Sequence, residues 1–231
     1  MILGIDSTTE LLHLALVAGD RAWTRRIPVG QGYSHSHALI PVVDELMAEA
    51  GAVPGQLRGV AACVGPGGFT ALRIGVATAE GLALTGIPSW GFSAFELRAR
   101  TLRLAGVSSP IWILLDGQRR EAFVQKWDKA AMTEGERCPI AALPEQIGAL
   151  PWWAPQAFRP ALEAVLGPCP IEVPDEGEAT LQGLVTLCRE RSGQAPESPL
   201  IPFYLRETDA EVNFPAASVH LSEALRQGVA R

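Results

Sequence analysis

No apolar run in this 231-residue chain approaches the roughly 18–20 residues that a membrane-spanning helix needs. The opening Met1-Ile2-Leu3-Gly4-Ile5-Asp6 lacks a basic stretch and a cleavage site, so it reads as a first strand rather than a signal peptide. A cytoplasmic protein is the expectation. Cysteine is sparse: Cys63, Cys138, Cys169 and Cys188 stand far apart and form no CxxC pair. They read as reduced, mostly buried thiols rather than disulfide or metal ligands. Histidine is equally scarce, with His13, His35, His37 and His220, and no His-x-x-x-His spacing occurs. His35 and His37 lie two apart near a helix start, about 200° apart around the axis, so they cannot share an ion. With no Gly-x-Ser-x-Gly elbow and few candidate bases, hydrolase chemistry is disfavoured. Basic residues do not dominate either: 19 Lys and Arg face 25 Asp and Glu, a net charge of −6. Such a balance is wrong for a protein that wraps nucleic acid, so any role near RNA would run through a basic partner.

What is present is a globular composition, 48% hydrophobic and 19% charged, enough to bury one large domain or two lobes. Ile2–Asp6, Leu11–Val17 and Ala22–Val29 have strand character, and Ser34 caps a helix reaching Ala50 before Gly51 and Pro54. Strand 59–64 then enters the run Gly65-Pro66-Gly67-Gly68-Phe69-Thr70-Ala71-Leu72-Arg73-Ile74-Gly75, and a helix covers about 70–85. A tight strand-to-helix turn of this kind can aim backbone N–H groups at a ligand or a partner. Further on, helices are expected near 155–166 and 180–192, and a strand near 200–206. A weak helical pattern at 218–229 lies in a polar C-terminal stretch.

The pattern of an apolar strand ending in Asp, a four-residue turn and a second strand occurs twice. It runs from Ile2 through Asp6 to Val17, and again from Trp112 through Asp116 to Trp127. Two such hairpins, one per lobe, are the layout of the α/β actin-like ATPase (ASKHA, RNase H-like) fold. The lobes are expected at residues 1–108 and 109–231. Asp6 and Asp116, with Gly67 and Gly68, are then candidates for residual nucleotide contact, because paired carboxylates can hold Mg²⁺ and orient a nucleophile. Their turns read Asp6-Ser7-Thr8-Thr9 and Asp116-Gly117-Gln118-Arg119, without the Gly that lets backbone approach phosphate. The competing reading has both aspartates capping turn amides.

Helix 34–50 carries Leu39, Val42, Val43, Leu46, Met47 and Ala50, a broad apolar face. Helix 70–85 carries Ala71, Gly75, Ala79 and Ala83 at near-fourfold spacing beside Leu72, Val76 and Leu82. Small residues in a row let another helix approach closely. A partner interface made by Leu39, Val42, Val43, Leu46, Ala71, Arg73, Gly75, Ala79 and Leu82 is therefore expected. The alternative is that both helices simply cover their own sheet.

The string GPGGFTALRIGVATAEGLAL resembles the GPGSFTGLRIG signature of the TsaB (YeaZ-like) family. ILGIDSTTE, YSHSHALIPVVDELMAEAG, LLDGQRREAF and PFYLRE are similar to further family stretches. Gly68, Ala71 and His37 replace the usual Ser, Gly and Glu, and GQRRE stands where the family has ARRGE. The resemblance implies a two-lobed ASKHA protein without catalytic activity or cofactor. Such a protein supports a larger paralogue, TsaD, with the ATPase TsaE, in threonylcarbamoylation of the adenosine next to the anticodon of tRNAs reading ANN codons. It further implies an interface through helices 34–50 and 70–85, homodimers when the partner is absent, and contact with tRNA only through the complex. The runner-up is an autonomous phosphotransferase using Asp6 and Asp116.

Overall fold

The computed structural model describes residues 1–29, 34–128 and 132–205. The first sheet has strand order β3-β2-β1-β4-β5, with β1 (Ile2–Asp6), β2 (Leu11–Ala18), β3 (Arg21–Pro28), β4 (Gly59–Gly65) and β5 (Ser89–Ser93). β1 pairs antiparallel with β2, placing Gly4 opposite Ala15 and Asp6 opposite His13, and parallel with β4 on its other side. The second sheet has order β8-β7-β6-β9, from β6 (Ile111–Asp116), β7 (Glu121–Trp127), β8 (Glu136–Pro139) and β9 (Trp152–Trp153). It repeats the antiparallel hairpin in β6–β7 and the parallel neighbour in β9.

Strand periodicity divides the interior into three cores. Leu3, Ile5, Leu12, Leu14, Leu16, Val60 and Ala62 point to one side of the first sheet. There α1 (His35–Glu49) and α2 (Phe69–Ala83) cover them with Leu39, Val42, Leu46, Leu72, Val76 and Ala79. Ala15, Val17, Ala61 and Cys63 point the other way, onto α3 (Ala94–Leu104) and α6 (Glu176–Arg191). The same core continues into Ile111, Ile113, Leu115, Phe123 and Trp153 of the second sheet. Beyond it, Leu114, Ala122 and Val124 pack against α4 (Leu143–Ile147) and α5 (Arg159–Leu166) through Leu143 and Leu162.

Most elements before residue 128 fall where the sequence patterns put them. β5 and α3 do not figure in the sequence reading, although Ser93 and Glu96 form a capping box that marks the start of α3. The two sheets lie on either side of residue 108 in the chain, and α6 of the later part packs on the first sheet. α6 packs on β1, β2 and α3, and a β-carbon on Gly4 would lie 2.5 Å from Cys188 Sγ. The expected strand at 200–206 is irregular over its described residues. It crosses the edge of the first sheet, with a backbone bond from Phe203 N to Val64 O of 2.6 Å. The expected helix at 218–229 lies outside the described residues.

Candidate partner face and a closed carboxylate site

Asp6 ends β1 with its side chain wholly buried. Oδ1 accepts from Thr8 N at 3.1 Å and from Thr8 Oγ1 at 2.6 Å, the turn-capping geometry. Oδ2 faces Arg98 Nη2 at 3.4 Å and His13 Nδ1 at 3.6 Å. Arg98 reaches it from α3, and its Nη1 donates to Thr180 Oγ1 of α6 at 3.2 Å. Burial drives the Asp6 carboxyl upward. The neighbouring His13 ring, the Arg98 charge and the Thr8 hydroxyl outweigh that, leaving it well below the ordinary carboxylate range. An internal guanidinium thus pairs with this carboxylate, which is closed off from solvent.

Asp116 is placed differently. It is exposed, with Oδ1 accepting from Gln118 N at 2.7 Å and Oδ2 from Gln118 Nε2 at 3.0 Å. Its turn holds Gln118, Arg119 and Arg120 at φ of 61°, 53° and 65°, a left-handed run that the aspartate caps. The two carboxylates thus differ in setting, one closed inside the first lobe and one exposed at its turn.

The glycine loop is spent within the chain. Gly68 N donates to Thr8 O at 2.9 Å, and a β-carbon on Gly67 would lie 2.5 Å from Thr8 Cβ. Ser7 Oγ donates to Ala71 O at 2.8 Å, and a β-carbon on Gly75 would collide with Ser7 Oγ. Gly67 and Gly75 therefore let α2 close onto the β1–β2 turn instead of admitting a nucleotide. Of the expected nucleotide contacts, Asp6 is closed inside the chain and Gly67 is packed on Thr8, whereas Gly68 and Asp116 are exposed.

The expected interface residues divide by face. Leu39, Val42, Leu46, Gly75 and Ala79 are buried in the chain's own first core and are not available to a partner. Val43, Ala71 and Leu82 are half-buried, and Arg73 is exposed. The outward stripe of α2 is Phe69, Arg73, Ala77, Gly81 and Leu84, spaced by four, four, four and three residues and exposed at every position. Leu84 is 90% exposed and Ile40 on α1 is 48% exposed, which is unusual for large apolar side chains on a helix pair. Of the expected interface residues Arg73 lies on this stripe, whereas the small-residue row Ala71, Gly75 and Ala79 starts two positions away, which a helix turns through about 200°.

His35 Nε2 lies 2.9 Å from Thr9 O and ties the start of α1 to the same turn, a local structural role. Ser34 caps α1 by backbone position only, since its hydroxyl sits 2.7 Å from His37 Nδ1. Among the described residues, no group of three or more His, Cys, Asp and Glu is placed to hold a metal ion. The four cysteines are free, and burial pushes the Cys188 thiol up to about 12.

Over residues 27–146, more than half its length, the chain matches the family described as TsaD, tRNA N6-adenosine threonylcarbamoyltransferase. It belongs to that family, and TsaB proteins are among its relatives. It is 33% identical over 119 residues to the tRNA threonylcarbamoyladenosine biosynthesis protein TsaB of Bacillus subtilis, covering 51% of this chain and 52% of that protein. To TsaB of Escherichia coli it is 26% identical over 149 residues, 63% and 64% of the two chains. The chain thus spans between about half and two thirds of these curated relatives. Among solved structures, YeaZ from Pseudomonas aeruginosa superposes with a TM-score of 0.64 at 20% identity, over 88% of this chain and 99% of that one. The actin-like fold of the TsaB proteins is therefore this chain's fold.

Proposed function

We propose that this chain acts in tRNA threonylcarbamoyladenosine biosynthesis as a non-catalytic subunit. It pairs with a TsaD paralogue that carries the chemistry, works with the ATPase TsaE, and meets tRNA only through that complex. The observation that carries the reading is Asp6: the carboxylate that ends the first hairpin strand is buried and paired with Arg98 from the same chain. A subunit that keeps this fold while the carboxylate of its first hairpin is closed is suited to holding another protein. The exposed stripe of α2 and Ile40 of α1 supply the surface, and the small Ala77 and Gly81 at its centre let a facing helix come close. Without its partner, the same face supports self-association. A cytoplasmic setting accords with this reading, and no described helix is long and apolar enough to cross a membrane.

The test is size-exclusion chromatography of the purified chain alone and mixed with the TsaD paralogue, together with an assay of modified adenosine in tRNA. A stable heterodimer, and modification that depends on both proteins, are expected. Nucleotide hydrolysis by the isolated chain that disappears in Asp116→Ala would overturn the reading in favour of an autonomous phosphotransferase.

A further inference from the structure

One exposed cation on the outer stripe of α2 is held more rigidly than a surface arginine ordinarily is. Arg73 Cζ lies 3.7 Å over the Phe69 ring, and its Nε donates to Tyr204 Oη at 3.0 Å. The Phe69 and Tyr204 rings tilt against each other with centroids 5.3 Å apart. Tyr204 comes from 131 positions away, delivered by the segment that crosses the edge of the first sheet. That segment is pinned by Glu197 N to Ser89 O at 2.8 Å, Leu200 N to Glu80 Oε1 at 2.9 Å and Phe203 N to Val64 O. Stacking and the Nε bond fix the guanidinium plane and leave its two terminal nitrogens at the outer end. Among the described residues no carboxylate lies within 4.0 Å of it, whereas Arg25, Arg98, Arg100, Arg159 and Arg191 each have one. No acidic residue stands in the first turn of α2 to neutralise it.

We propose that Phe69, Arg73 and Tyr204 form a preassembled fork that takes an Asp or Glu side chain of the partner subunit in a two-pronged bond. The inference rests on the partner reading above and specifies its polar contact. A planar guanidinium already fixed in place loses little freedom when it bonds a carboxylate, and arginine in such a setting commonly dominates an interface. The site is a helix surface rather than a cleft. A cavity of about 480 Å³ lies elsewhere, lined by Ile147, Trp152 and Leu166 among others. A small anion would therefore find no enclosure at the fork. RNA phosphate is the less suitable occupant because a net charge of −6 opposes its approach.

The experiment is calorimetric titration of the full chain against the TsaD paralogue, at low and at high salt, for wild type, Arg73→Ala, Arg73→Lys and Tyr204→Phe. Arg73→Ala should weaken binding about tenfold or more without shifting the melting temperature. Arg73→Lys should lose most of the same affinity, since an ammonium cannot make two parallel bonds. Tyr204→Phe should cost a smaller factor, and the Arg73→Ala penalty should shrink in high salt. Wild-type affinity in Arg73→Ala or Arg73→Lys, with the heterodimer intact, overturns the fork alone. No heterodimer with the wild-type chain overturns the partner reading and the fork together. If Arg73→Ala spares the heterodimer but abolishes tRNA retention on a filter, the occupant is phosphate and the fork as proposed is wrong.

Discussion

At the scale of single residues, the energetics centre on Asp6. Its carboxylate is fully buried, and a buried charge is tolerated only while its partners remain. Arg98→Met removes the guanidinium and leaves the buried carboxylate with Thr8 at Oδ1 and the His13 ring near Oδ2, so we expect a loss of about 3–5 kcal/mol in denaturant unfolding. The same carboxylate gives the fold a sensitivity to acid. Its folded-state pKa lies below the unfolded value, so its contribution is complete at neutral pH and disappears as protons bind on acidification. Asp6→Asn should therefore be less stable than wild type at neutral pH, and the difference should narrow between about pH 5 and pH 2. A difference that stays constant across that window would show that Asp6 is not held as the ionised form. Sequence made Asp6 visible as a strand-end residue after an apolar run. It could not show Arg98, which stands 92 positions away on a helix that the sequence reading did not include.

At the scale of elements, α2 carries two rows of small residues, and their difference lies only in orientation. Gly75 and Ala79 are buried against the first sheet, whereas Ala77 and Gly81 are exposed. Spacing by four identifies both rows but does not say which one meets the sheet. That is settled by Ser7, whose hydroxyl holds Ala71 O and fills the space a Gly75 side chain would need. Paired substitutions separate the rows. Ala79→Leu should overpack the core and cost about 1–3 kcal/mol, with complex formation lost only as far as the fold is. Ala77→Trp should leave the thermal melt within error and abolish the heterodimer in chromatography. An intact heterodimer in Ala77→Trp would move the partner surface away from α2. The repeated hairpin was legible because a strand ending in Asp recurs with the same turn length. β9, only two residues long, had no periodicity to read.

At the scale of the whole molecule, the order of the layers explains why the chain's last described segment matters to its first lobe. α6 lies between the two sheets, and the residues after it return across β5, which ends the first sheet. Ser89 Oγ donates to Glu197 O at 2.6 Å, Trp90 Nε1 to Gln194 O at 3.2 Å, and Gly91 N to the Glu197 carboxylate at 3.2 Å. These bonds satisfy an edge strand that would otherwise offer its backbone to other chains. Leu200 is the apolar anchor, buried in the core beneath α1 and α2, and the lobe boundary expected at residue 108 gave no sign that so distant a residue belonged there. Leu200→Ala should cost about 2–5 kcal/mol if the segment is integral to the lobe. Because Tyr204 lies four residues further on, the same variant should also weaken partner binding as Tyr204→Phe does, and light scattering should report aggregation through the uncovered β5. Loss of stability with unchanged partner affinity would mean that Leu200 packs the core without positioning Arg73. The segment would then be a cover for the sheet edge alone.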